Sequence, residues 1–220
     1  MYFLVKRFFD IFFSLLVLVI LFPIFFVIVI LLKLTGEGEI FYEQKRVGYK
    51  NNVFQILKFA TMLKNSANIG TGSITLRNDP RVTPMGKFLR KSKINELPQI
   101  INILKGDMSI VGPRPLMPVS FEKYTTEVQA VVYNVKPGLT GIGSLIFRDE
   151  EKLVSESNLA PEEFYSLNIF PYKGKLELWY LENISFFTDF KIIFVTAWSI
   201  VFSKNNFANT FFKNIPKRHF

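Results

Sequence analysis

Residues Phe88 to Pro115 read FLRKSKINELPQIINILKGDMSIVGPRP, and this stretch decides the fold around it. Leu97, Ile100, Ile101 and Leu104 recur at i, i+3, i+4 and i+7, the apolar face of a short helix. Asn95 is a good N-cap for that helix, Glu96 falls in its first turn, and Pro98 is tolerated there. Lys105 and Gly106 form the matching stop. Asn95 and Glu96 are thus expected at a helix N-terminus, where unpaired N–H groups await an anion.

Arg90, Lys91 and Lys93 precede this helix; Asp107 and then Gly112-Pro113-Arg114-Pro115 follow it, two prolines stiffening the chain around one guanidinium. Carboxylates, a helix N-terminus and a rigidly presented arginine point to a site for a phosphorylated, metal-bound substrate. A well-capped helix with a solvated basic flank is the plainer alternative.

The motifs Leu89-Arg90-Lys91, Glu96-Leu97-Pro98-Gln99, Gly106-Asp107-Met108-Ser109 and Val111 to Pro115 closely resemble the core of the bacterial sugar transferases known as monotopic phosphoglycosyl transferases. Asn95 stands where that family usually has aspartate, so the Asp-Glu dyad becomes Asn-Glu. The resemblance implies an enzyme that moves a sugar 1-phosphate from a UDP-sugar to a polyprenol (undecaprenyl) phosphate. The products would be a polyprenyl diphosphate sugar and UMP, at the start of a surface-glycan pathway. It places the dyad at Asn95 and Glu96, with Glu96 the surviving carboxylate and the expected Mg²⁺ ligand, and Asp107 as either a second acidic group or a cap for the Gly106 turn. Arg114, beside Pro113, is expected to bind phosphate or nucleotide, with Lys58 and Arg90 as supporting cations. Glu96 is the preferred nucleophile; direct attack by the lipid phosphate, or a role for Asp107, stays open. A catalytically silent membrane scaffold of the same fold is the rival reading.

Composition narrows the chemistry. The 220 residues suit one moderate domain with appendages. Net charge +9 suits nucleic acid, anionic lipid or a phosphorylated substrate. No nucleic-acid motif is found, and apolar ends favour a membrane. The chain has no cysteine and one histidine, His219, which excludes disulfides and thiolate chemistry and disfavours a histidine triad or metal site. Carboxylates, hydroxyls, amines or an oxygen-ligated Mg²⁺ remain.

Ile11 to Leu32 is interrupted only by Ser14 and Pro23, long enough to span a bilayer once. Yet Lys6 and Arg7 before it, and Lys33, Lys45, Arg46 and Lys50 after it, all favour the cytoplasmic side. Pro23 removes a mid-helix hydrogen bond and predicts a bend. A re-entrant helix-break-helix satisfies these facts, and the resemblance implies the same topology; a kinked span is the alternative. The expected division is a membrane re-entrant helix over 1–35 and a catalytic domain over 36–220. The fold class is α/β, α-rich with a small sheet, monotopic on the cytoplasmic face of the plasma (inner) membrane, with a homo-oligomer left open.

Elsewhere Phe41 to Gly48 resembles the family's F-x-Q-x-R-V-G segment, and Phe54 to Met62 resembles its strand carrying Lys58. Lys58 between Ile56-Leu57 and Phe59 is expected to face the site rather than solvent. Asn65 to Ser73 reads as a polar loop, and Arg77 to Thr83 resembles the family's D-P-R-I-T, with Thr83-Pro84 opening a helix. That helix suits either an anionic membrane surface or the core. Phe121 to Val135 reads as a helix. Gly138 and Gly141, in a segment resembling K-P-G-x-T-G, allow close backbone approach to a substrate, or simply a tight turn. Phe187, Phe190, Phe194, Trp198 and Val201 recur at helical spacing, suiting a helix in the interface or against the core. Lys204, Lys213, Lys217 and Arg218 make the tail a basic surface anchor.

Overall fold

The computed structural model describes residues 1–69, 78–202 and 211–220. The end of the polar loop, Arg77 and Lys204 therefore lie outside the described residues. Helices dominate, with two two-stranded sheets among the described residues, as the α-rich reading expects.

Helix α1 (Tyr2–Leu34) is 33 residues, about 50 Å at helical rise, and is long and apolar enough to cross a membrane. The expected break at Pro23 is not seen, for the helix runs through it. Both ends nevertheless touch the same body. Near the start, Arg7 donates to the carbonyls of Ile103 and Leu104, and the Ile110 amide donates to Asp10 at 2.9 Å. Near the end, Ile28 and Leu32 pack with Phe59 and Leu89. Val19, Ile20 and Phe22 between them are exposed.

Strands β1 (Phe41–Val47) and β2 (Val53–Phe59) form an antiparallel hairpin in which Tyr42, Gln44 and Arg46 pair with Lys58, Ile56 and Phe54. Cross-strand partners share a face, so these six lie on one side. Helix α2 (Pro84–Lys91) opens as the sequence predicts: Pro84 takes the first position and the Thr83 hydroxyl accepts from the Gly86 amide at 3.0 Å. Leu89 is buried and Phe88 exposed.

Helix α3 spans Gln99–Lys105 and stops at Gly106 in the left-handed region, as expected. Its start corrects the sequence reading. Ile94–Glu96 form a separate 3₁₀ turn after Lys93 at φ 60, and Pro98 sits at the N-cap with no side-chain cap. Asn95 is not the cap, because i→i+3 bonds from Ile94 onward consume the amides that a cap would serve. The buried face is also rotated, to Gln99, Ile100, Asn102 and Ile103. Asn102 explains this: its amide accepts from Leu57 N at 2.9 Å and donates to Gln55 O at 2.7 Å, closing the edge of β2.

Strand β3 (Ser109–Val111) pairs in parallel with β4 (Gly138–Thr140). Between them, the single helix expected over 121–135 is two, α4 (Pro118–Phe121) and α5 (Thr126–Val131), the second capped by Thr125. After β4 come α6 (Ile142–Ile146), α7 (Glu150–Ser155) and α8 (Pro161–Phe164). A π turn at Tyr165–Ile169 joins α8 to α9 (Phe170–Glu182). Ser185 then caps α10 (Phe186–Val201). Ile192 and Val195 of α10 join the core with Leu176, whereas Phe187, Phe190, Phe194 and Trp198 face outward. Asp189 is buried on α10 because Lys6, Tyr2 and Tyr180 all donate to it.

Candidate active site

Three pieces of backbone converge on Glu96. The hairpin face delivers Lys58, the 3₁₀ turn delivers Glu96, and the loop after β3 delivers Arg114. Lys58 Nζ lies 3.2 Å and Arg114 Nη2 3.0 Å from the same oxygen, Glu96 Oε1. Oε2 makes no hydrogen bond to the described residues.

The loop carrying Arg114 is clamped at successive backbone groups. Gly138 N donates to Pro113 O at 2.9 Å, Tyr133 OH to Arg114 O at 2.8 Å, and Arg46 Nη1 to Pro115 O at 3.0 Å. The Arg114 amide points to Glu177 Oε1 at 3.4 Å, and its Nη1 to Ser144 Oγ at 3.3 Å. Gly138 and Gly141 serve this clamp, correcting the expectation of substrate approach. A Cβ on either would stand 2.1 Å from the Gly112 backbone.

Burial acts against every charge here, and the outcome differs by group. At Glu96 burial alone would raise the pKa, but Lys58, Arg114 and Lys93 outweigh it and hold the carboxyl well below its usual range. At Lys58 burial dominates, and repulsion from Arg46 and Arg114 offsets much of the pull of Glu96, lowering the pKa to about 8. Arg114 is pushed up, chiefly by Glu96. Behind it, burial pushes the Glu177 carboxyl up to about 7. Lys173 donates to both oxygens of Glu150 at 2.7 Å.

The other expected residues make no hydrogen bond to the Glu96 carboxylate. Asn95 is buried beside Glu96, its amide oxygen without a partner. Asp107 accepts from Asn102 at 3.2 Å beyond the C-terminal end of α3, and it makes no contact with the cluster. Arg90 pairs with Glu151 on α7 at 3.0 Å. Pro113 is buried and contributes its carbonyl. Sequence reasoning missed Lys173 and Glu177, whose signal was a lysine and a glutamate four apart, on one face of α9.

Among the described residues no group of three or more His, Cys, Asp or Glu is placed to hold a metal. A single carboxylate completed by waters is within what Mg²⁺ accepts, and Glu96 Oε2, with no hydrogen bond to the described residues, is the donor here that would be open to it.

A small α/β body with a carboxylate set among cations and a long apolar helix attached is what a transferase acting on sugar phosphates at a membrane would need. A sequence model of the bacterial sugar transferase family matches residues 1–203, and the chain belongs to that family. It is 33% identical over 212 residues to an undecaprenyl-phosphate glucose phosphotransferase of Komagataeibacter xylinus, covering 92% of this chain and 37% of that protein. It is 31% identical over 216 residues to the exopolysaccharide production protein ExoY of Sinorhizobium fredii, covering 92% of this chain and 88% of that one. A UDP-N-acetylgalactosamine-undecaprenyl-phosphate N-acetylgalactosaminephosphotransferase of Aeromonas hydrophila is 31% identical over 204 residues, covering 90% and 44%. The chain thus spans less than half of the first and third relatives and most of the second.

Proposed function

We propose that this chain transfers a sugar 1-phosphate from a UDP-sugar to undecaprenyl phosphate at the cytoplasmic face of the plasma membrane, initiating a surface glycan. The observation that carries this reading is Glu96 held between Lys58 and Arg114, a carboxylate kept ionised within a positively charged, partly buried cluster. Phosphoryl transfer needs its substrate's charge neutralised and its reacting atoms positioned, and this cluster offers both. Where the lipid phosphate attacks directly, Glu96 would instead hold Mg²⁺, which supplies further positive charge to the phosphates when bound.

In the reaction, Glu96 Oε2 attacks the phosphorus that bears the sugar. The bond from that phosphorus to the bridging oxygen breaks, and UMP leaves with the electron pair. The phosphate oxygen of the polyprenol then attacks the same phosphorus and the Glu96 carboxylate is released. Asn95 cannot take the nucleophile's part, because its nitrogen lone pair is delocalised and its oxygen carries no full charge.

The catalytic domain over 36–220 sits on the membrane through the helix over 1–35, which enters and leaves the same leaflet. Support comes from the contacts of both helix ends with one body and from the exposed apolar middle. Tags before Met1 and after Phe220 should be reachable only from the cytoplasm; labelling of the first from outside intact cells would sink this topology.

The activity is tested with a panel of UDP-sugars and undecaprenyl phosphate, following UMP. Ping-pong kinetics and a trapped phosphosugar adduct, both lost in Glu96→Gln, are expected. Sequential kinetics, with no UMP until lipid is added, would refute covalent attack; no UMP from any donor would favour the silent scaffold.

A further inference from the structure

Arg46 is the least explained charge near Glu96. It shares the inward hairpin face with Gln44 and Lys58. Gln44 Oε1 accepts from both Nε and Nη2, which fixes the plane of the guanidinium, and Nη1 donates to Pro115 O at 3.0 Å. A guanidinium has five N–H groups. Three are used, and the other two, on Nη1 and Nη2, make no hydrogen bond to the described residues.

Its charge is as incomplete as its hydrogen bonding. Arg46 forms no ion pair with a carboxylate of the described residues; the acidic group whose charge it feels is Glu96, already shared by Lys58 and Arg114. Arg46, Lys58 and Arg114 thus all draw on one carboxylate, Glu96. Burial and the nearby Arg114 push the Arg46 pKa down to about 10, so the resting protein holds this charge at a cost. A diphosphate ester carries two negative charges at neutral pH and many acceptor oxygens, which would meet both deficits.

We propose that Arg46 is a substrate-binding residue, its two unused N–H groups taking oxygens of a diphosphate also held by Lys58 and Arg114, with Gln44 aiming the fork. The identity of that diphosphate as a uridine ester rests on the transferase reading above. The rival role is a brace, in which Arg46 merely supports the loop through Pro115 O.

Calorimetric titration of the full chain with UMP, UDP and inorganic pyrophosphate, each with Mg²⁺, separates these roles. Arg46→Met should weaken UDP by about 10- to 100-fold, the range of a charge-assisted hydrogen bond, and UMP by clearly less. Equal weakening of UMP and UDP, or no weakening, overturns the proposal and leaves the brace. If Arg46→Met does not fold, Arg46→Lys carries the same comparison, since it keeps the charge without the fork. An unchanged UDP-to-UMP ratio in that variant overturns the proposal equally. Wild-type binding of pyrophosphate alone, lost on substitution, would uphold Arg46 while the uridine reading fell. Binding of none of the three would remove this inference along with the anion cluster.

Discussion

Raising the pH should switch Lys58 off, and the structure fixes where. Its ammonium lies 3.2 Å from Glu96 with only 16% of the side chain exposed, and burial brings its pKa from 10.5 to about 8. At about 1.4 kcal/mol per pKa unit, the charged form is disfavoured by about 3 kcal/mol relative to a free lysine. Because the folded pKa is depressed, this group's contribution to stability is present above pH 10.5 and lost as pH falls through about 8. Activity runs the other way, since phosphate needs the charged lysine. A group of pKa about 8 is about 90% protonated at about pH 7 and about 10% at about pH 9, so kcat/KM, which reports the free enzyme, should fall about tenfold. The assay is the initial rate of UMP release at subsaturating UDP-sugar across that range. Lys58→Arg should be slower at neutral pH but free of the alkaline limb, because a guanidinium stays charged. A wild-type profile flat to about pH 10 would refute the burial argument. A limb that survives in Lys58→Arg would assign it to the substrate or another residue.

Three substitutions probe the surrounding parts. Arg114→Ala should raise KM for the UDP-sugar by about 10- to 100-fold, and lysine should rescue poorly for want of the planar fork. Gly141→Ala would drive a Cβ to 2.1 Å from Gly112 O, so thermal unfolding should show a loss of about 1–3 kcal/mol or more. Asn95→Asp is expected to keep UMP release; loss of activity there would show a site rebuilt around the amide.

Much of this was legible because it depends on local chemistry. The stop at Gly106, the Thr83-Pro84 helix start and the inward Lys58 each follow from a few adjacent residues. The buried face of α3 was not legible, because local apolar spacing cannot reveal that Asn102 is drawn inward to close β2. Asp107 and Arg90 look like site residues in the linear sequence, but pairing with Asn102 and Glu151 is a tertiary outcome. Gly138 and Gly141 suit either substrate approach or a tight turn on sequence alone; only the parallel pairing of β3 and β4 shows that Gly112 fills that space. Arg46 had a readable signal, its place two residues from Gln44 and so on the same face of a strand. Its meaning needed the register that places it on the face of Lys58.

The register also bears on how a membrane helix and a phosphate site come to share one small body. Arg7 of α1 donates to the last carbonyls of α3, where a cation favourably meets the negative end of the helix. The opposite end of α3 runs straight back into the turn that carries Glu96. Asp10 holds the amide of Ile110 in β3, one strand before the loop that presents Arg114. Ile28 and Leu32 pack on Phe59, the residue after Lys58. Glu96 and its two partners, Lys58 and Arg114, are therefore each one short element away from α1. A helix merely tethering a soluble enzyme would need none of these contacts. Only one face of α1 is taken up in this way: Asp10, Ser14, Ile28 and Leu32 are buried, while apolar side chains from Phe3 to Leu34 stay exposed along the rest of the helix. That bare apolar surface is what a bilayer would cover, so the helix suited to seat the protein on a membrane is the same one that braces Lys58, Glu96 and Arg114.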